Sequence, residues 1–243
     1  MCANFVLVLD VSYFIELPIM VQLQRMLMRV GFYEKLQYRF NRVRKHNDHI
    51  EDIYDGNIYK KLFQPGQFLN NPNNVSFMWY SDGVAIFRGS SQFSIWPLFL
   101  VINELNYKNR VVRENMILAG LWFGAKKPNV DLFLLPFRSF FQQFSSDGHD
   151  FSLPNGDNIR VKGMLLCGTC DYQAKSSFMK FVAHNGFYGC SRCLTPGIGQ
   201  ETPGGRHKKG RVQVYPYDRN IRLRQHDEVR EYAHRAEQTG KPY

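Results

Sequence analysis

From Val75 onward the order in which the chain changes period, three β-prone runs, a helical run, a further β-prone run and a further helical run, constrains its fold more than any other feature. Val75–Tyr80, Ser94–Ile102 and Asn115–Phe123 are rich in β-branched and aromatic residues and are bounded by turn formers, which predicts three strands. Val130–Phe144 is long enough for a helix, with Leu132, Leu135, Phe140 and Phe144 among its apolar residues; Pro136 predicts a kink or a late start. Phe151–Leu153 and Ile159–Val161 flank Pro154-Asn155-Gly156-Asp157, a hairpin signal. The apolar run Val161–Leu166 then reads as a strand, and Tyr172–His184 as a helix closed by Gly186. Three strands, a helix, a strand and a helix suit an α/β fold: a mixed sheet with helices on its faces. Ahead of it, Ile19, Leu23, Met26, Leu27 and Val30 recur at helical spacing, and Phe32–His46 is aromatic and basic. Residues 1–70 therefore read as a helical, basic N-terminal segment.

Such a sheet can bring acids together where neighbouring strands end. Asp82 and Asp171 each follow a β-prone run, and two carboxylates converging from separate strands offer hard oxygen ligands to Mg²⁺ or Mn²⁺. Two such ions about 4 Å apart can activate an attacking oxygen and stabilise a leaving one in phosphoryl transfer. Asp-Gly is also an ordinary turn, so Asp82 alone carries little weight.

With 243 residues, 44% of them hydrophobic, the chain can bury one sizeable core, or one core and a small satellite. Its formal charge of +10 favours a polyanionic partner. That charge is concentrated. Arg25–Lys45 holds seven basic residues against Glu34, and Pro203–Gln225 holds seven against Asp218. Within the second stretch, Arg206, Lys208, Lys209 and Arg211 are the candidate nucleic-acid contacts; solvated helix and loop faces explain the charge nearly as well. The apolar opening Phe5–Met20 lacks a basic leader and is broken by Asp10 and Glu16, so neither a signal peptide nor a membrane span is expected.

Four of the five cysteines form Cys-x-x-Cys pairs, Cys167 with Cys170 and Cys190 with Cys193, which point to metal or redox chemistry in a reducing compartment.

Taken together, Ser81-Asp82-Gly83, Ser94-Ile95-Trp96-Pro97, Cys170-Asp171 followed by Ala174-Lys175, and the run from Asn185 to Cys193 resemble the catalytic region of CACTA-superfamily DNA transposases. The resemblance covers roughly residues 50 to 243 and departs at Gln173, where that family usually has Pro. It implies an RNase H-like core over 71–186, with Asp82 and Asp171 as the first two catalytic, Mg²⁺- or Mn²⁺-binding acids. It also implies DNA as partner, a possible homo-oligomer of the intact protein and a nuclear location. The third acid of that family lies on a helix beyond the Gly240-Lys241-Pro242 run, so the chain reads as a fragment, inactive by itself; a non-catalytic nucleic-acid or protein-binding module is the alternative. The family's Cys-x-x-Cys falls in an insertion after the second acid, here 187–243, and Cys190 and Cys193 match it. A structural Zn²⁺ there needs two more donors. His207 and His226 are the candidates, with Cys167 and Cys170 as the other possibility.

Overall fold

The computed structural model describes residues 4–8, 12–46, 48–87, 90–205 and 208–240, and the chain divides into two compact units, Met1–Thr169 and Cys170–Tyr243. The first opens with strands β1 (Asn4–Val8) and β2 (Ser12–Glu16) and helices α1 (Ile19–Leu27), α2 (Phe32–Leu36), α3 (Tyr38–Asn41) and α4 (Asn57–Leu62). Strands β3 (Val75–Ser81), β4 (Val84–Phe87) and β5 (Ser90–Ile102) follow, then helix α5 (Tyr107–Arg110), strand β6 (Met116–Gly124) and helix α6 (Val130–Ser146). A small hairpin, β7 (His149–Ser152) and β8 (Asn158–Val161), precedes strand β9 (Gly163–Thr169).

The sheet runs β1-β2-β6-β5-β3-β9, with β4 also paired to β5. Every pairing in it is antiparallel except β3 with β9, which is parallel. Parallel neighbours require a crossover, and α6 lies on the connection that makes it. Phe133, Phe137, Phe141 and Phe144 recur on one helical face and are buried. Phe141 and Phe144 reach Phe77 of β3, while Phe133 and Phe137 meet Phe14 of β2 edge to face. Asn129 caps the helix by accepting from the N–H groups of Asp131 and Leu132. The helix runs through Pro136 from Val130, so the expected late start is not seen.

The opening segment differs from the all-helical expectation. Ser12–Glu16 forms a strand against β6, with Phe14 buried and Tyr13 exposed; five residues are too few for periodicity to separate strand from helix. The stretch Phe32–His46 is two short helices that meet at Gln37.

A buried polar network ties this segment to the sheet. Glu104, fully buried, lies 3.4 Å from Arg39 and accepts from the Ser76 N–H (2.7 Å), the Ser76 hydroxyl (2.8 Å) and the Tyr59 hydroxyl (3.0 Å). Burial pushes its carboxyl above the ordinary value, against the opposing pull of Arg39. Beside it, Arg110 makes a bidentate pair with Asp52 and donates to the carbonyls of Asn103 and Leu105.

The second unit contains α7 (Tyr172–Phe178), the hairpin β10 (Ile198–Gly205) and β11 (Lys208–Val214), and α8 (His226–Thr239). Helix α7 stops six residues short of the expected His184, where Lys180 takes a left-handed conformation (φ 48°).

Glu104→Ala strands the buried Arg39 guanidinium without its carboxylate and should lower stability by about 3–5 kcal/mol. Urea unfolding of the variant beside Glu104→Gln, which keeps the hydrogen-bond acceptor, measures it; equal stability of Glu104→Ala and the unsubstituted chain would contradict this account.

Candidate functional site

Asp82 stands in an interruption of the sheet. The registers Ser81↔Leu98 and Val84↔Ile95 continue one another, so β3 and β4 are a single line of chain broken at Asp82-Gly83, opposite Trp96-Pro97. Pro97 has no N–H to give the ladder at this point. The Trp96 ring lies so close to Gly83 that an added Cβ would sit 2.6 Å from it. Thus two motifs that are distant in sequence, Ser81-Asp82-Gly83 and Ser94-Ile95-Trp96-Pro97, meet in space, and Gly83 is required by close approach. Asp82 is exposed, and its Oδ1 accepts from the Gly83 N–H at 2.7 Å.

β9 ends beside the same break. Its last residue, Thr169, is in register with Tyr80 of β3, so each chain leaves the parallel pair at the same end, with Asp82 and Asp171 each two residues beyond. Gly168 lacks a side chain where the Trp79 ring lies against it. Asp171 is the N-cap of α7, its Oδ1 accepting from the Ala174 N–H at 2.6 Å. Neither carboxylate has a further hydrogen bond to its second oxygen among the described residues.

In the second unit the chain from Ala183 to Gly189 folds in successive turns, with Gly186 N–H on the Ala183 carbonyl and Gly189 N–H on the Gly186 carbonyl. Cys190 and Cys193 follow. The Arg192 N–H points to Cys190 Sγ at 3.5 Å, and Cys193 Sγ lies 3.3 Å from Thr195 Oγ1. That Thr195 contact, with help from Cys190 and Arg224, holds the Cys193 thiol below its ordinary pKa. A bridge between Cys193 and Leu223, and bonds from Arg224 to the carbonyls of Cys190 and Tyr188, brace the turn. His226 is the first residue of α8, while His207 and Arg206 lie outside the described residues. Among the described residues no group of three or more His, Cys, Asp or Glu side chains is gathered to hold a metal. Cys167 lies on β9 opposite Met78 and is exposed. None of Cys167, Cys170, Cys190 and Cys193 forms a disulfide.

The two basic stretches fare differently. In the first, Arg39 is buried against Glu104, Arg42 makes a bidentate pair with Asp55, Arg44 reaches the same carboxylate, and Arg29 bonds to Asn115 and the Glu114 carbonyl. Arg42 holds Asp55 well below the usual carboxylate range. Much of that charge therefore serves the fold, which a count of residues cannot reveal. In the second, Lys208, Lys209 and Arg211 lie on β11 of the two-stranded hairpin, with Arg211 exposed and paired in register with Glu201.

A family model described as "Transposase family tnp2" matches residues 48–239, about four-fifths of the chain. The chain belongs to the tnp2 transposase family. The matched span includes both acids, both cysteine pairs and the basic hairpin, and it runs from the first unit into the second. Among curated proteins none matches this tnp2 chain significantly. No helix among the described residues is long and apolar enough to cross a membrane. Two features stand outside the sequence-based expectations. The contact of Trp96 with Gly83 has no local signature, whereas His184, six residues before Cys190, could have been found from its spacing.

Proposed function

We propose that this tnp2 chain carries the first two metal-binding acids of an RNase H-like, CACTA-type transposase core, acting in the intact protein in Mg²⁺- or Mn²⁺-dependent DNA strand cleavage and transfer. The observation that supports this is the parallel pair β3 and β9, whose register runs to Tyr80 and Thr169, each two residues before one of the acids in the sequence. An antiparallel series β3, β5 and β6, a helical connection and a parallel return beside the first strand support the RNase H-like reading. The donors suit the ions: both are hard carboxylates on exposed residues, each with one oxygen engaged by a backbone N–H. A divalent cation bound there supplies positive charge for in-line displacement at phosphorus, with water and then a 3′-hydroxyl as nucleophile. The Gly83 and Ala174 N–H groups orient the carboxylates, and Trp96 and Pro97 keep the strand open at Asp82.

In this reading DNA is contacted by Arg206 and by Lys208, Lys209 and Arg211 of the hairpin, in the nucleus and in an oligomer of the intact protein. Cys190 and Cys193 supply half of a structural Zn²⁺ site, a soft donor pair with one thiol biased toward thiolate. His207 and His226 are the candidate histidines for its completion. A second reading, a non-catalytic binding module, is favoured by the capping role of Asp171, which gives that residue a structural use without any metal.

Asp82→Asn and Asp171→Asn separate the two readings, because Asn keeps the turn and the cap while removing the charge. Each should weaken Mn²⁺ binding, followed by electron paramagnetic resonance, by about tenfold or more, since affinity follows ligand charge. Unchanged binding in both variants would leave the binding-module reading. For DNA, replacing Arg206, Lys208, Lys209 and Arg211 by Ala should flatten the plot of log K against log salt by about 0.9 for each phosphate left unneutralised. An unchanged slope would mean that the hairpin touches no phosphate.

A further inference from the structure

Within the second unit, a cavity of about 480 Å³ is lined by His184, Cys190, Cys193, Thr195, Tyr215 and Tyr217 among others. His226 is absent from its walls. Position 184 is fixed there by its backbone. Its carbonyl accepts from the Tyr215 hydroxyl at 2.8 Å, and the same hydroxyl donates to the Gly186 carbonyl at 2.6 Å. Gly189 packs so tightly on the His184 carbonyl that an added Cβ would lie 2.6 Å from it. The turns between them thus fold the chain back toward the start of the cysteine pair, and the His184 side chain is exposed. The Arg192 N–H donates toward Cys190 Sγ, as outer-shell groups do around metal-bound thiolates, while Cys193 Sγ donates to Thr195 Oγ1.

We infer that His184 is the third donor of a Cys₂His site in this cavity, its imidazole turning toward Cys190 and Cys193 to take Zn²⁺ or a cation of similar softness. The inference rests on the zinc reading of the two thiols and departs from it in the histidine. Chemically the set is coherent: two thiolates and a neutral imidazole form a tetrahedral site whose fourth position is open to water or another donor. The short spacing from His184 to Cys190 also means that little extra chain must be ordered when the metal binds.

Co²⁺ titration of the metal-free full chain tests this, because thiolate-to-cobalt charge transfer and the ligand-field bands report sulfur ligation and geometry without any enzymatic assay. The unsubstituted chain should show both signals, and Cys190→Ser should lose the thiolate band. His184→Ala should bind Co²⁺ about tenfold or more weakly, with altered ligand-field bands, whereas His226→Ala should bind as the unsubstituted chain does. His184→Cys, which restores a donor, should recover tight binding if the loss in His184→Ala is one of ligation and not of folding. Equal affinity of His184→Ala and the unsubstituted chain, or failure of His184→Cys to recover it, would overturn the assignment of His184 while leaving the thiol pair in place. Absence of a thiolate band in the unsubstituted chain would instead remove the zinc reading, and this inference with it.

Discussion

The parallel pairing of β3 with β9 is the constraint on which the first unit depends. Parallel strands cannot be joined by a tight turn, so the chain must cross over, and the phenylalanine stripe of α6 makes that crossing cohesive by burying itself on the sheet. The same pairing brings two strand ends into register at Tyr80 and Thr169, two residues before Asp82 and Asp171 in the sequence. Packing and candidate chemistry are therefore linked: a helix that holds its place by an apolar face determines where β9, the strand that leads toward Asp171, lies beside β3.

Around that pair, polar residues serve in two ways. Glu104, Arg39, Ser76 and Tyr59, with Asp52, Arg110 and Tyr54 beside them, bury charge with partners and so fix one arrangement of the segment before β3. Asp82, by contrast, stays exposed at a gap kept open by Pro97 and by a tryptophan ring on Gly83. A strand with an unbroken ladder would carry its acid on a regular pleat. Here the break frees the backbone locally, and the carboxylate takes its hydrogen bond from the neighbouring N–H.

Between Val75 and Thr169, β3, β5, β6, α6, the β7–β8 hairpin and β9 were legible in the sequence because their runs are patterned and bounded by turn residues, whereas the four-residue β4 and α5 were not. Less legible were the short ones. Ser12–Glu16 becomes a strand because Phe14 finds Phe133 and Phe137, a tertiary contact without a local signature. The helix from Tyr172 ends at Phe178 because Lys180 turns left-handed, although the residues up to His184 carry no breaker. Charge was the least transparent feature. Arg39, Arg42 and Arg44 look in sequence like a nucleic-acid face, yet their carboxylate partners, Glu104 and Asp55, claim them. The two acids stood out through their place after strands; the contact that shapes the first of them, Trp96 on Gly83, joins residues thirteen apart and appears only when the strands pair.

The central proposal is that the carboxylates of Asp82 and Asp171 bind a divalent cation together. Fe²⁺ substituted for Mg²⁺ and treated with ascorbate and peroxide generates radicals that cut the polypeptide close to the bound ion, and mass spectrometry locates the cuts. The account predicts that cleavage clusters in both 80–84 and 169–173, and that Asp82→Asn abolishes both sets together. Cuts in one segment without the other, or a set at 169–173 that persists in Asp82→Asn, would contradict it.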